Sequence, residues 1–533
     1  MFFAIVRKEL RHHLASFRFW VGALLTIVLG YSSTLIAARD YNLRLSSYRD
    51  RVASHRQELA AVSVFSYLQP VLVRPPEPLS VLDRGLDSRL GTEVAIHWFS
   101  IPIEATSGYG GNELLVSLPP VDLTTIVSVV LGLLALLLTH DAIAGEREAG
   151  MLPAIFANGV TRRTVLAGKL AGGLLALLLP LAVGLLVSLA LFRFEVSSLL
   201  TMDQGLRVAG LAAGYVVYLS LMSFIGLLIS LHSRTTSRAL GLSVLVWFIL
   251  TIALPAATQG VANDLVGTEG ARRSSEREIH ALTAGLTRRL GEELRRDPLR
   301  ANFSGHTAIS VANGAHRAER YRNGSAAYYD SLAGYYRFEA RSGAWNAAQI
   351  FTVQQRYEAR LRVGERLEAA LAVVSPASLL DLLSEAFSGT SIAEHDRFLA
   401  ACRGYRLALL AYMEHKDAFR SWRWFTDDSP AGLRPWPVYL GLSADEVPPE
   451  RVAALFSRLS EPEVAARVRR DREEIQRDAS RRLALDDMPR FAYRSLDFST
   501  SLRHGAAAAG ALLAFNVLAA AAAWARFRRY ELG

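Results

Sequence analysis

The chain is poor in several residue types that carry common functions. Among its 533 residues there is one cysteine, Cys402, so no intrachain disulfide can form, and there are only six methionines. Copper-handling proteins favour clusters of methionine and histidine, which argues against that role. Lysine occurs only at Lys8, Lys169 and Lys416, so the net charge of +9 is carried almost wholly by arginine, interleaved with aspartate and glutamate. This skew fits genome composition better than phosphate recognition, and we expect no nucleic-acid binding.

Motifs of the common enzyme classes are missing as well. No His-Glu-x-x-His zinc motif occurs, and GLSAD at residues 441–445 fails the G-x-S-x-G pattern at its last position. Arg163 stands where the first glycine of the phosphate-binding loop G-x-x-x-x-G-K-[ST] belongs, and Leu170 replaces its Ser or Thr. His395 is a candidate metal ligand, although a solvated surface position is the simpler expectation. We predict a non-catalytic chain with no cofactor, metal or nucleotide site of its own.

What the chain has instead is long apolar runs. Hydrophobic residues make up 51% of it and the mean hydropathy is +0.21. A bilayer core needs about 20 apolar residues in helical form, and six runs reach that length. They predict an all-α membrane protein with membrane helices over residues 19–37, 121–140, 170–192, 208–231, 239–257 and 505–525. A cleaved signal peptide is the alternative for the first run, but the run is longer than a signal core, so we predict an uncleaved anchor.

Arginine and lysine flanking the short loops predict the orientation, because such residues stay on the cytoplasmic side. They concentrate in residues 1–18, in the loop at 141–169 and in the tail at 526–533. Both termini are therefore expected to be cytoplasmic, in a bacterial inner membrane. Residues 38–120 and 258–504 then lie outside the cytoplasm.

The two outer regions have different patterns. Residues 38–120 predict a helix near Leu43 to Leu59, followed by proline-rich turns and short strands, which makes a small mixed α/β segment. In residues 258–504, apolar residues recur at three- and four-residue steps from Ile279 to Leu294 and from Val353 to Leu371. A third helical stretch follows Pro449. The large outer domain is therefore predicted to be mainly helical, with long antiparallel hairpins.

The most informative stretch is the loop HDAIAGEREAGMLPAIFANGVTRRTVLAGK at residues 140–169. Leu152, Ile155 and Phe156 fall on one face of a short helix, and Asn158-Gly159 is a stop signal. Three large apolar side chains on such a helix need a cover, which is either a partner protein or the membrane surface. Glu146 and Glu148 are placed to pair with basic groups of a partner, or with the nearby Arg162 and Arg163.

The loop resembles the first cytoplasmic loop of ATP-binding-cassette (ABC) transporter permeases of the type-2 exporter class. The likeness also covers VRKEL at residues 6–10, RPPEPLSVLDRGLD at 74–87 and PPVDL at 119–123, and it points to a subfamily with a large extracytoplasmic domain of unknown function between the fifth and sixth membrane helices. Met151 stands where the family usually has Thr. The matching loop positions are Gly145, Glu146, Glu148, Gly150, Leu152, Arg162, Gly168 and Lys169.

The resemblance implies the partners. In this family the short helix is the coupling helix, which fits a groove on a separate ATPase subunit that binds ATP and Mg. Six spans are half of the usual permease complement, which implies two ATPase copies and a second permease in a homodimer or heterodimer within membrane lipid. The residues implied to couple to the ATPase are Glu146, Glu148, Leu152, Ile155, Phe156, Arg162 and Arg163.

The resemblance is compatible with two main functions and a third alternative. The first is a permease that couples ATP hydrolysis to export of a hydrophobic or peptide-like substrate. The second is mechanotransmission, in which the chain drives a periplasmic partner without moving cargo, as in systems that mature copper enzymes. The third is an anchoring subunit without active coupling. A continuous cavity between paired spans would favour export, whereas a solid interface under an outer stalk would favour transmission.

Overall fold

Six helices of membrane-spanning length and composition form the body of the computed structural model. The structure describes residues 1–87, 90–106, 121–157, 160–196, 200–258, 268–298, 309–313, 316–320, 326–427, 439–442, 451–477 and 482–529. The six helices confirm the predicted all-α membrane class. In chain order with the shorter helices, they are α2 (Phe17–Ala60), α3 (Leu123–Glu148), α5 (Arg162–Glu195), α6 (Met202–His232), α7 (Thr236–Thr258) and α14 (Phe498–Arg528).

Each of these helices begins at a side chain that caps it. A hydroxyl or carboxylate oxygen accepts a backbone N–H from the first turn, where no intrahelical acceptor is available. At Asp122, for example, the carboxylate accepts from the Thr125 N–H at 2.9 Å. The caps are Ser16, Asp122, Thr161, Thr201, Thr235 and Asp497.

Two of the helices contain a π-helical turn. One lies at Val127–Leu131 in α3, and the other at Ile249–Ala253 in α7, just before Pro255, which has no N–H to donate. Side chains of neighbouring helices donate to backbone carbonyls of the π-helical turn in α3. The Tyr218 hydroxyl donates to Ser128 O at 3.0 Å, and Trp247 Nε1 donates to Val129 O at 3.1 Å. The irregular turn in α3 is thereby tied to both α6 and α7.

The bundle has two unlike ends. At one end lie the amphipathic helix α1 (Phe2–Leu14) and the 140–169 loop with its short helix α4 (Leu152–Ala157), and we call it the loop end. The opposite end carries the large helical region and is called the domain end. Its elements are α8 (Thr268–Arg296), α9 (Ala326–Ala372), α10 (Pro376–Ser388), α11 (Ile392–His415), α12 (Val452–Ser457), α13 (Pro462–Arg477) and a hairpin of β3 (Ile309–Asn313) with β4 (His316–Arg320).

The predicted long antiparallel hairpin is confirmed by α8 and α9. Glu278 on α8 pairs with Arg356 on α9 at 2.7 Å, and Arg289 lies over the Trp345 ring at 4.8 Å from its centroid. Residue numbers rise along one helix as they fall along the other, so the helices are antiparallel. The hairpin of β3 and β4 was not predicted.

The first membrane helix continues far beyond the bilayer. Its 44 residues span about 66 Å, roughly twice the thickness of a bilayer core. Beside its far end, β1 (Val71–Val73) pairs antiparallel with β2 (Glu93–Ala95), which agrees with the predicted mixed segment. α2 therefore joins the membrane bundle rigidly to the domain end.

Helix α10 lies against the domain-end parts of α6 and α14. It is bounded by a Ser375 cap followed by Pro376, and by Gly389 in the left-handed conformation (φ 73°). Close approach to α6 requires glycine, because a Cβ at Gly210 would lie 2.5 Å from the Phe387 ring. The expectation that His395, on α11, is solvated is wrong: its side chain is buried against neighbouring elements, and the described residues contain no group of ligands for a metal ion.

Candidate functional site

A buried ion cluster joins three elements at the loop end. Lys169 Nζ donates to Glu9 Oε1 at 2.9 Å and to Glu146 Oε1 at 2.7 Å. The three side chains come from α5, α1 and the end of α3, and each residue is less than one-tenth exposed. Lys8, which is mostly exposed, adds a second ammonium 3.2 Å from Glu146. One of the three lysines of the chain thus holds α1 and the loop to the start of α5.

The backbone of α5 lets α1 approach closely enough for this contact. A Cβ at Gly172 would lie 2.6 Å from Glu9 Cβ, so any larger residue would push α1 away. Bringing two carboxylates and an ammonium out of water costs several kcal/mol per ion, and only their mutual attraction offsets it. The cluster is therefore sensitive to the loss of any one member.

Two neighbouring loop side chains bind the junction between α6 and α7. Arg147 Nη1 donates to Ser233 O at 2.7 Å, just beyond the last turn of α6. The Glu148 carboxylate accepts from the N–H of Thr236 at 2.9 Å and from its hydroxyl at 2.8 Å, at the first turn of α7. Glu146 and Glu148 thus bond other groups than Arg162 and Arg163, which was one of the two alternatives for them; pairing with basic groups of a partner stays a prediction.

The short helix α4 is partly covered by its own chain. Leu152 is 3% exposed and packs with Ile143, Val165 and Leu231, so the expectation of three exposed apolar side chains is wrong for it. Phe156 is half-buried, with its ring centroid 6.1 Å from that of Phe527 on α14. The side chain of Ile155 and the stop signal Asn158-Gly159 lie outside the described residues.

The two arginines after α4 hold the last turn of α14. Arg162 Nη1 donates to Phe527 O at 3.2 Å and also to Arg528 O, both in the last turn of α14. The Arg163 guanidinium lies over the Trp524 ring at 5.0 Å from its centroid. Together with the contacts above, the loop is bonded to α1, α5, α6, α7 and α14, so a displacement of the loop acts on all of them.

The comparisons with known proteins agree with this architecture. Residues 3–297, more than half of the chain, match the family model described as ABC-2 family transporter protein. The chain belongs to the ABC-2 transporter family. Residues 343–494 of this ABC-2 permease match a second family model, described as a domain of unknown function (DUF3526). No curated protein matches the chain. Membership makes it a membrane permease subunit of an ABC system, and it implies an ABC ATPase as partner.

A second ionic cluster, which the sequence analysis missed, lies at the domain end of this ABC-2 permease. Arg207 on α6 is 1% exposed, and it donates to Glu77 Oε1 at 3.0 Å and to Phe387 O on α10 at 2.7 Å. Asp87 accepts from Arg74 at 2.8 Å and from Arg44 on α2. We call these five side chains and their neighbours Asp40, Asp83 and Arg84 the domain-end cluster.

Most of this cluster lies in the stretch RPPEPLSVLDRGLD, for which the sequence alone predicts no role. The stretch RPPEPLSVLDRGLD alternates charges and prolines, so it cannot form a regular helix, and its charges need partners from other elements. Its partners on α2 and α6 lie up to 130 positions away in the chain. The signal available was the density of charge in a segment flanked by apolar runs.

Three further carboxyls lie beside this cluster, those of Asp381 and Glu385 on α10 and that of Asp122 at the cap of α3. Asp83 accepts from the Ser388 hydroxyl at 2.6 Å, and Asp122 accepts from the Arg84 N–H at 3.2 Å. Burial, followed by repulsion from Asp381 and Asp122, raises the pKa of Glu385 to about 8. Burial and Asp122 also raise the pKa of Asp381 to about 7. Because the Asp381 side chain still reaches the surface, we expect it to contribute less than Glu385 to the pH dependence of stability.

We expect the stability of the permease to fall as the pH rises from about 4 to about 8. The raised pKa of Glu385 means that its protonated form is favoured by folding, so this contribution is complete below its unfolded pKa and is lost as the pH passes its folded pKa. The measurement is the midpoint of thermal unfolding in detergent across this pH range. Glu385→Gln should flatten the pH dependence, whereas Glu463→Gln on exposed α13 should leave it unchanged; equal slopes for both variants would contradict the assignment.

Proposed function

We propose that this ABC-2 permease exports a hydrophobic or peptide-like substrate, driven by ATP hydrolysis in a separate ATPase that acts on the 140–169 loop. The observation that carries the proposal is the set of bonds from the loop to five helices. In this reading the loop end faces the cytoplasm and α4 is the coupling helix. The chain itself binds neither ATP nor Mg, which belong to the partner.

Each contact of the loop passes movement of α4 on to one of the membrane helices or to α1. When the ATPase closes, it displaces α4. Lys169 and Glu146 carry the movement to α1 and α5, Arg147 and Glu148 carry it to the junction of α6 and α7, and Arg162 carries it to α14. The buried, charge-assisted bonds of Lys169 suit this task because they hold a fixed geometry that exposed ion pairs do not.

The opening of a path is assigned to α3 and α7. Both contain a π-helical turn, a feature common at functional sites in helices. The bond from Trp247 on α7 to Val129 O on α3 joins them directly. We propose that this pair of helices moves at a contact with a second permease, in a complex with two ATPase copies.

Mechanotransmission remains the second candidate, and one observation favours it. α2 crosses the membrane and continues without a break to Ala60, so movement at the loop end can reach the domain end through a single rigid rod. In that case the domain end would act on a partner outside the cytoplasm, and no cargo would cross.

Export and mechanotransmission both require that the ATPase binds α4, and this binding is tested first. The double replacement Ile155→Asp with Phe156→Asp is expected to abolish co-purification of the ATPase, because two charges would face the apolar groove proposed to receive α4. Met151→Asp is the matched control, since Met151 is exposed at 49% immediately before the same helix. A double variant that retains its full complement of ATPase would show that α4 is not the coupling helix.

Export and transmission are then separated with reconstituted vesicles. Export predicts ATP-dependent accumulation of a labelled apolar peptide inside inverted vesicles that contain permease and ATPase. Transmission predicts ATP hydrolysis and movement of the domain end without accumulation. The double aspartate variant supplies the background level for both measurements.

A further inference from the structure

A cavity of about 710 Å³ lies at the domain end, between the far part of α2 and the segment of residues 482–491. Its volume falls in the range of about 300–1,000 Å³ typical of ligand sites. One wall is a face of α2 that includes Val52, Arg56 and Leu59, and the opposite wall includes Leu485 and Phe491. The residues of β1 line it between these walls. The cavity is separate from both ionic clusters.

The strand that lines the cavity has an open edge. The bonds from the Arg74 N–H to Thr92 O and from the Ile96 N–H to Pro70 O, both 2.8 Å, fix which residues of β1 face β2. The N–H and C=O groups of Val71 and Val73 therefore point away from β2. Within the described part of the chain they have no backbone or side-chain hydrogen-bond partner. Such an edge is a template for another strand.

The charges around the cavity are mainly positive. Arg56, Arg482 and Arg490 line it, against the single carboxylate of Asp486. His55 is oriented by a contact of 3.0 Å between its Nδ1 and Glu58, and its buried Nε2 has no hydrogen-bond partner among the described residues. A ligand that enters the cavity can therefore satisfy His55 with a polar group and the arginines with a carboxylate.

We propose that this cavity binds an extended peptide segment that carries a carboxylate, by adding it as a strand to the open edge of β1. A peptide has the alternating donors and acceptors that Val71 and Val73 require, whereas a hydrocarbon chain would leave these groups unsatisfied. Its alternate side chains would contact the apolar walls, and its acidic group would meet the arginines. Binding here requires neither ATP nor transport, so the inference goes beyond the proposed function.

The cavity is also placed where a bound segment contacts one membrane helix and the segment that precedes another. One wall is α2 itself, and the other wall leads directly into α14, which begins at Phe498. A peptide segment held there lies about 16–35 Å beyond the apolar run of α2, given a rise of 1.5 Å per residue.

The experiment uses the purified full-length permease in detergent, without ATPase. The probe is a fluorescein-labelled peptide of about eight residues, alternating valine and threonine and ending in two glutamates. Control peptides end in two lysines or carry N-methyl groups on alternate residues, which removes the donors for strand pairing. Binding is followed by fluorescence polarisation.

We expect the acidic peptide to bind at least about tenfold more tightly than either control peptide. Arg56→Glu should weaken binding of the acidic peptide by about tenfold and improve binding of the lysine peptide, whereas Arg49→Glu, an exposed arginine on α2 outside the cavity, should behave as wild type. Val71→Pro removes one edge donor without removing a bond to β2 and should also weaken binding.

Two results would overturn the proposal. If the N-methylated peptide binds as tightly as its parent and dodecanoate displaces both, the site takes an anionic amphiphile and not a strand. If no peptide binds at about 1 mM, the cavity is not a peptide site. Neither result bears on ATPase binding to the loop, so failure here is distinguishable from failure of the export proposal.

Discussion

Lys169→Met is expected to lower the free energy of unfolding of this permease by about 3–5 kcal/mol, the usual loss when one partner of a buried ion pair is removed. Lys169 is 5% exposed and is the ammonium shared by Glu9 and Glu146. Without it, both carboxylates remain out of water at 5% and 7% exposure, with only the mostly exposed Lys8 nearby. The measurement is denaturant unfolding in mixed micelles, with thermal unfolding as a second probe.

The scarcity of lysine provides a matched control. Lys416→Met makes the same chemical change in an ion pair with Asp487. The Lys416 and Asp487 side chains are 34% and 57% exposed, so we expect only a small loss of unfolding free energy. The triple variant Glu9→Gln, Glu146→Gln, Lys169→Met should recover much of the stability, because no uncompensated charge stays buried. A Lys169→Met protein as stable as Lys416→Met would show that water reaches the cluster freely.

The same variant separates stability from coupling. If the ion cluster transmits movement from α4 to α1 and α5, the triple variant should bind the ATPase and fold, yet transport poorly, since neutral amides hold the junction less firmly. Full transport activity in a stable triple variant would mean that the cluster serves folding alone.

Much of this fold could be predicted from local sequence signals. Apolar runs of bilayer length mark the six membrane helices, and residues such as Asp122 and Thr161 mark where they begin, because a short polar side chain before an apolar run satisfies free N–H groups. The periodicity from Ile279 onward likewise identified α8. These features depend on neighbours within a few residues.

The partners of the charged residues could not be predicted in this way. Glu146 bonds Lys8, 138 positions earlier, and Lys169, 23 positions later, and only the packing of α1 on α5 brings them together. Leu152 lay on the expected helical face, but periodicity does not reveal that the core of the loop end covers it. Helix α10 has both a Ser-Pro start and a Gly stop, which are local signals, but its packing against α6 and α14 depends on residues far away in the chain.

Arg207→Met is expected to cost about 3–5 kcal/mol at neutral pH for a related reason, at the opposite end of the bundle. Glu77 would lose the guanidinium that compensates its buried charge and would have to take up a proton, and Phe387 O on α10 would lose its 2.7 Å donor. Arg193→Met, an exposed arginine near the end of α5, is the matched control and should change stability little. The change is measured by denaturant unfolding, as for Lys169.

The pH dependence of the Arg207→Met variant provides the sharper test, because it reports on Glu77 itself. Burial raises the pKa of Glu77 to about 7 even though Arg207 lowers it, so removing the arginine must raise it further. A carboxyl whose folded pKa exceeds its unfolded pKa contributes stability at low pH and loses it as the pH rises. The deficit of the variant relative to wild type should therefore shrink from about pH 8 to about pH 5, because Glu77 of the wild type takes up its proton over this range and loses the ion pair that the variant already lacks. In the Glu77→Gln background the effect of Arg207→Met on stability should be smaller and independent of pH. If the deficit in the wild-type background is instead the same at pH 5 and pH 8, the loss of stability comes from the bond to Phe387 O and not from the ion pair.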